Sequence, residues 1–128
     1  MPSRLVSYNA ELNAKSAAPM KNTDTFAEFW RRYLRDHAQP GTRTLHFVGN
    51  GVAVAALILA VVMLDPMIAI IGALLGYVFA WSGHFLIEGN RPSMFEHPIW
   101  SFQCDVRMLR LWFGGRLDEA RTRAGLRS

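Results

Sequence analysis

A single cysteine, Cys104, stands in the 128 residues. That excludes an internal disulfide framework and any cysteine-based zinc site. Charge is scarce as well: charged residues make up 19% of the chain and apolar residues 51%. A disordered tail protein, a collagen-like chain and a coiled coil do not fit that balance. Internal repeats, low-complexity runs and a glycine-rich phosphate loop are all missing. The first 25 residues contain no apolar run, so no secretory signal peptide is expected. The length suits one domain and is too short for a dinucleotide-binding unit with a second domain.

What charge there is lies in two flanks. Residues 1–46 carry seven Lys or Arg against Glu11, Asp24, Glu28 and Asp36. Residues 88–128 carry seven Arg against Glu88, Glu96, Asp105, Asp118 and Glu119. Between them, residues 47–87 hold one charge, Asp65. Residues 45–64 read LHFVGNGVAVAALILAVVML and residues 67–87 read MIAIIGALLGYVFAWSGHFLI. Each stretch is about 20 residues, enough at 1.5 Å per residue to cross a hydrocarbon core of roughly 30 Å. Asp65-Pro66 breaks the run and reads as a tight turn. The sequence therefore predicts an all-α integral membrane protein built on a transmembrane helical hairpin. Gly72-x3-Gly76 is a small-xxx-small spacing that lets helices approach. Basic flanks on both sides favour cytoplasmic termini, with Asp65 on the far side. Basic residues beside aromatics do not make a nucleic-acid site here, because the spans account for the composition.

Amphipathic segments are expected on both sides of the hairpin. Residues 1–22 read as a flexible tail. Thr23 or Thr25 can cap a helix over about 24–37, and Thr25-x-x-Glu28 has capping-box spacing. Phe26, Trp30, Tyr33 and His37 share one face of it. After the hairpin, residues 99–113 form a second helix, stopped by Gly114-Gly115 and suited to the membrane interface. Residues 116–128 read as a solvated basic tail able to touch anionic lipid. Residues 23–115 thus form a single helical membrane domain. Cys104 reads as a buried small side chain, and Asn50 as a hydrogen-bonding group between helices.

The four histidines are the informative residues. His46 and His84 lie nearly equal distances from the turn, so an antiparallel pair sets them at one depth. Glu88 follows His84 by one helical turn. The break at Pro40-Gly41 can bring His37 beside His46, and His97 can reach the same place through a loop. Imidazole and carboxylate ligands suit Fe(II), Zn, Mn or Ni. Glu88 can serve as a ligand, hold an imidazole in its tautomer, or pair with Arg91. Non-haem iron chemistry with oxygen and hydrolytic zinc chemistry both remain open on these residues, as does a purely structural role for interface histidines.

Two motifs carry a resemblance. Phe29-x3-Tyr33-x3-His37, Pro40 and Arg43-x-Leu45-His46-x2-Gly49 form the first. Gly83-His84-Phe85-x2-Glu88-x-Asn90-Arg91-Pro92-Ser93 forms the second. Across a hydrophobic hairpin, this pairing resembles the small membrane-protein family that includes the yeast 2-hydroxy fatty acid dioxygenase. It covers about residues 26–115. The resemblance implies an Fe(2+)-dependent dioxygenase that shortens 2-hydroxy fatty acids by one carbon. It implies iron ligands at His37, His46 and His84, with Glu88 as the motif carboxylate. His97 has no clear equivalent and is added here as a fourth candidate ligand. Arg43 and Arg91 are candidates to pair with the substrate carboxylate. This chain departs from the family in its shortness, in Thr42 where an asparagine is usual, and in Ser93 where an alanine is usual. The expected partners are a fatty-acyl substrate, O2, membrane lipids and a second copy of the chain, in a bacterial inner membrane. The alternatives are another metal-dependent lipid hydrolase or hydroxylase, and a non-enzymatic membrane scaffold or lipid-binding protein.

Overall fold

A computed structural model describes residues 25–126 together with Arg4. The expected tail over residues 1–22, Arg4 apart, and the cap proposed at Thr23 lie outside the described residues. The described residues are helical, with no strand among them. The elements are α1 (Phe26–Asp36), α2 (Pro40–Met63), α3 (Pro66–Ser82), a π-helix (Gly83–Glu88), a 3-10 turn (Ser93–Phe95), α4 (Pro98–Phe113) and α5 (Leu117–Arg123). They fall into two compact units. One holds residues 37–92, and the other joins the described residues up to Asp36 with those from Ser93 onward.

In the first unit α2 and α3 pack antiparallel along their length. Pro40 occupies the first turn of α2, where its missing N–H is not needed. At the far end Leu64 takes a left-handed conformation (φ 53°) and ends α2. Asp65 then caps α3, its carboxylate accepting from Met67 N at 3.0 Å, with Pro66 as the first helical residue. Asp65-Pro66 is thus both a stop and a start. Small residues set the separation of the two helices. A Cβ on Gly49 would lie 2.5 Å from the Gly76 carbonyl oxygen, and one on Gly72 would lie 2.1 Å from the Ala56 methyl. The backbones approach where only hydrogen fits.

Little else covers this pair. Leu64 is 88% exposed, Val62 71% and Val61 66%. Only 17% of the most apolar stretch of either long helix is buried, where the core helix of a soluble domain would be mostly covered. Both helices are long and apolar enough to cross a membrane, the second counting α3 with its π-helical extension.

The second unit has its own core. Thr25 and Glu28 form the capping box at the start of α1: Glu28 N donates to Thr25 Oγ1 at 3.2 Å and Thr25 N to Glu28 Oε2 at 3.3 Å. The buried face of α1 is Phe29, Trp30, Tyr33 and Leu34. It is centred on Phe29 rather than on Phe26, which is only half-buried. Phe26 and Phe29 pack on Trp100 of α4, and Tyr33 Oη donates to Asp105. Met108, Cys104 and Leu117 complete the core. Residues 117–123, expected in a solvated tail, form α5. Leu117 and Arg121 are buried, and Arg121 Nη1 donates to the Leu34 carbonyl at 3.2 Å. Leu117 and Arg121, four apart, share a face that the charges around them obscure in the sequence.

Two measurements follow from this packing. Gly72→Ala forces a methyl into Ala56 and is expected to cost about 1–3 kcal/mol. Gly51→Ala, where a Cβ meets nothing within 4 Å, is expected to be neutral or to stabilise by about 0.5–1 kcal/mol. Thermal unfolding of the two variants checks the contrast. The alkaline limb of stability is set in the second unit. Burial, reinforced by Asp105, raises the Tyr33 hydroxyl well above its usual 10.0 and pushes the Cys104 thiol from 9.0 up to about 12. Both keep their protons in the folded chain at a pH where the unfolded chain releases them. Their contribution is therefore intact below about pH 9 and lost as pH climbs from 9 towards 12. The unfolding midpoint should fall over that range, and fall less steeply in Tyr33→Phe and Cys104→Ala.

Candidate metal centre

Three imidazoles meet at the end of the α2–α3 pair opposite Asp65. His37 stands on the turn before α2, His46 on the second turn of α2, and His84 in the π-helix that continues α3. All three are buried: His37 at 0% exposure, His84 at 1% and His46 at 6%. Their rings sit edge to face, with centroids 4.6 Å apart for His37–His46, 4.5 Å for His37–His84 and 5.6 Å for His46–His84. One ligand nitrogen from each lies within 4.8 Å of the others. Nitrogens bound at about 2.0–2.1 Å to one ion lie roughly 3–3.5 Å apart, which small side-chain rotations reach. Three neutral imidazoles suit a first-row divalent ion and leave coordination positions open. The donor set fits a metal.

Each ring is held by local structure. The chain passes from α3 into a π-helix at Gly83, a wider turn frequently found at functional sites. A Cβ on Gly83 would lie 3.0 Å from Thr42 Cγ2 and 3.2 Å from Thr42 Cα, so the start of the π-helix rests directly on the first turn of α2. Thr42 is fully buried, and its hydroxyl makes no hydrogen bond among the described residues. Gly89 then takes a left-handed conformation (φ 69°) and turns Asn90 back onto His84. Asn90 Oδ1 lies 2.7 Å from His84 Nδ1, and Asn90 N donates to the His84 carbonyl at 3.0 Å. An amide oxygen only accepts, so His84 Nδ1 carries the proton and Nε2 is the nitrogen presented for a metal.

Of the candidate catalytic residues, Glu88 and Arg43 act through the backbone. Glu88 Oε1 accepts from Gln39 N at 2.5 Å, placing a carboxylate at the N-terminus of α2, where the helix dipole favours it. Gln39 itself supplies no side-chain cap. Glu88 therefore ties the end of the π-helix to the start of α2. Arg43 Nη1 donates to the carbonyls of His37 and Ala38, at 2.9 and 2.8 Å, and fixes the turn that carries His37. Arg91 is exposed on the segment after the π-helix. His97 is not a member of the histidine group. It caps α4, Nδ1 accepting from Trp100 N at 3.3 Å, and its ring stacks on Trp100 at 4.0 Å. A histidine just before Pro98 and an apolar helical run is a cap position. That signal was available in the sequence, as was the Gly-Asn pair that closes the π-helix. The hydrogen bond from Asn90 to a residue six positions back was not.

Residues 23–117 match the family described as 2-hydroxy-palmitic acid dioxygenase Mpo1-like. The chain belongs to that family. Its match spans α1 through α4 and contains His37, His46 and His84. No curated protein and no solved structure matches the chain.

Asn90→Ala removes the acceptor that fixes the His84 tautomer and is expected to weaken metal binding by about 10–100-fold while leaving the ligands in place. Competition titration against a calibrated chelator measures it. Unchanged affinity would mean that the hydrogen bond does not orient the ring.

Proposed function

We propose that this chain is an integral membrane dioxygenase that uses Fe(II) and O2 to shorten 2-hydroxy fatty acids by one carbon. The observation that carries the reading is the set of three buried imidazoles at the end of an uncovered apolar helix pair. It puts a metal-binding chemistry beside a surface that hydrocarbon would cover, and the family description names a dioxygenase of a 2-hydroxy acid.

The bare flanks of α2 and α3 favour a membrane over water. Val61, Val62, Met63 and Leu64 point outward at 62–88% exposure, and burying them in lipid recovers about 25 cal/mol per Å2 of apolar surface. α2 and α3 then form the transmembrane hairpin, with α1 and α4 as amphipathic helices at the interface. Basic residues on both flanks orient the termini to the cytoplasmic side of a bacterial inner membrane. The metal cluster lies at that face.

His37, His46 and His84 would hold the ion, and Fe(II) there supplies oxygen activation. The rest falls to the chain's own residues. Exposed side chains of α2 and α3 line the path of an acyl tail. Arg91 pairs with the substrate carboxylate, and Asn90 holds the proton on His84 Nδ1. Glu88 and Arg43 hold the turn bearing His37 against the start of α2. The overall conversion takes RCH(OH)COOH and O2 to RCOOH, CO2 and water, which balances without an outside reductant.

Protein purified anaerobically in mild detergent, without a histidine tag, is expected to carry about one iron per chain. It should convert 2-hydroxypalmitate into the acid one carbon shorter. His84→Ala is expected to lose the iron and at least about 100-fold of the activity. Stoichiometric zinc with no oxygen uptake would overturn the oxygenase reading in favour of hydrolysis. Folded protein without any metal would leave the histidines structural.

A further inference from the structure

The second unit carries a basic cavity that the metal chemistry does not use. It has a volume of about 260 Å3 and is lined by Trp30 and Arg31 of α1, Arg107 of α4, and Arg116, Glu119 and Arg123 at α5. Four guanidiniums from three helices face one carboxylate, so the cavity keeps three positive charges. Arg107 is positioned: its guanidinium carbon sits 4.5 Å over the Trp30 ring, and Trp30 is itself buried and stacked on Tyr33. Arg116 and Arg123 lean on Glu119 at 3.9 and 2.5 Å. Both are more than 60% exposed, so these are screened surface pairs that an incoming anion can displace.

Like charges gathered in one cavity repel unless a counter-ion joins them. A monoanionic carboxylate offsets one of the three. A phosphate monoester, with about 1.5–2 negative charges near pH 7 and three acceptor oxygens, matches both the charge and the fork geometry of several arginines. We propose that this cavity binds a phosphate monoester group. Two sources share that chemistry: the headgroup of an anionic lipid, and free phosphate. An apolar stripe on α4 lies opposite its packed face. Ile99, Phe102, Val106 and Phe113 are exposed there, whereas Ser101, Cys104 and Met108 are buried. Such a stripe beside arginines favours the lipid.

The test uses the full chain in neutral detergent, titrated calorimetrically with dihexanoyl phosphatidic acid, sodium phosphate and dihexanoyl phosphatidylcholine. Saturable binding of phosphatidic acid but not phosphatidylcholine is expected, weakened at least tenfold in the double variant Arg107→Gln, Arg123→Gln. Arg110→Gln loses the same kind of charge outside the cavity and is expected to bind like wild type. Equal binding of free phosphate would make the phosphate group itself the ligand. Binding of the lipid alone would assign the headgroup. No saturable binding of either phosphate compound to wild type would overturn the proposal. So would equal binding of phosphatidylcholine, or an equal loss in Arg110→Gln, which would reduce the effect to bulk charge. The readout is independent of iron and of turnover, so it stands or falls apart from the oxygenase reading.

Discussion

Gly49 lies against the carbonyl of Gly76 and Gly72 against the methyl of Ala56, and this close approach holds α2 and α3 in register. The register brings His46, near the start of α2, level with His84, just beyond α3. A wider separation would pull the two rings apart, and a slip by one residue would turn one of them away by about 100° around its helix. Gly83 repeats the device at the site itself. Its missing side chain lets the π-helix rest on Thr42, one turn before His46. Three close contacts between small residues thus determine where two of the three imidazoles stand.

The third imidazole depends on a different kind of constraint. His37 belongs to a turn, and turns hold position by hydrogen bonds rather than by packing. Arg43 reaches back from α2 to the His37 and Ala38 carbonyls, and Glu88 reaches across from the π-helix to Gln39 N. The two Arg43 bonds start on the element bearing His46 and the Glu88 bond on the element bearing His84. The turn is consequently fastened to both. A charged group on a backbone carbonyl or N–H makes a stronger bond than a neutral pair.

Much of this was legible in the sequence, and the reason differs from one residue to the next. The long helices, the Asp65-Pro66 break and the shared level of His46 and His84 follow from counting along runs with a known rise per residue. The capping box at Thr25 and Glu28 follows from spacing. The π-helix does not, because an i to i+5 pattern over six residues leaves no periodic trace. Glu88 illustrates the limit. Its position one turn after His84 left a ligand, a partner of an imidazole and a partner of Arg91 open, and its bond from Gln39 N is a tertiary fact that spacing does not carry. His97 was grouped with the other histidines because the loop after the second span could carry it to them; its place before Pro98 also fits an N-cap, the role its ring takes. Leu117 and Arg121 were obscured by the charges around them.

The burial of the cluster bears on what it is for. Three imidazoles are withdrawn from water, at a desolvation cost that a partner in the site offsets. Neutral imidazole is the form that binds a metal. Thr42 adds a buried hydroxyl without a hydrogen bond among the described residues, a further cost that packing alone does not require. Natural folds seldom bury such a hydroxyl beside three imidazoles, those of His37, His46 and His84, unless something in the site repays the desolvation. A metal ion held by His37, His46 and His84 would do so for the imidazoles. Because such an ion would bind a set that exists only in the folded chain, its binding free energy would add to folding. The same three residues would then serve as ligands and as a structural tie between the two long helices and the turn.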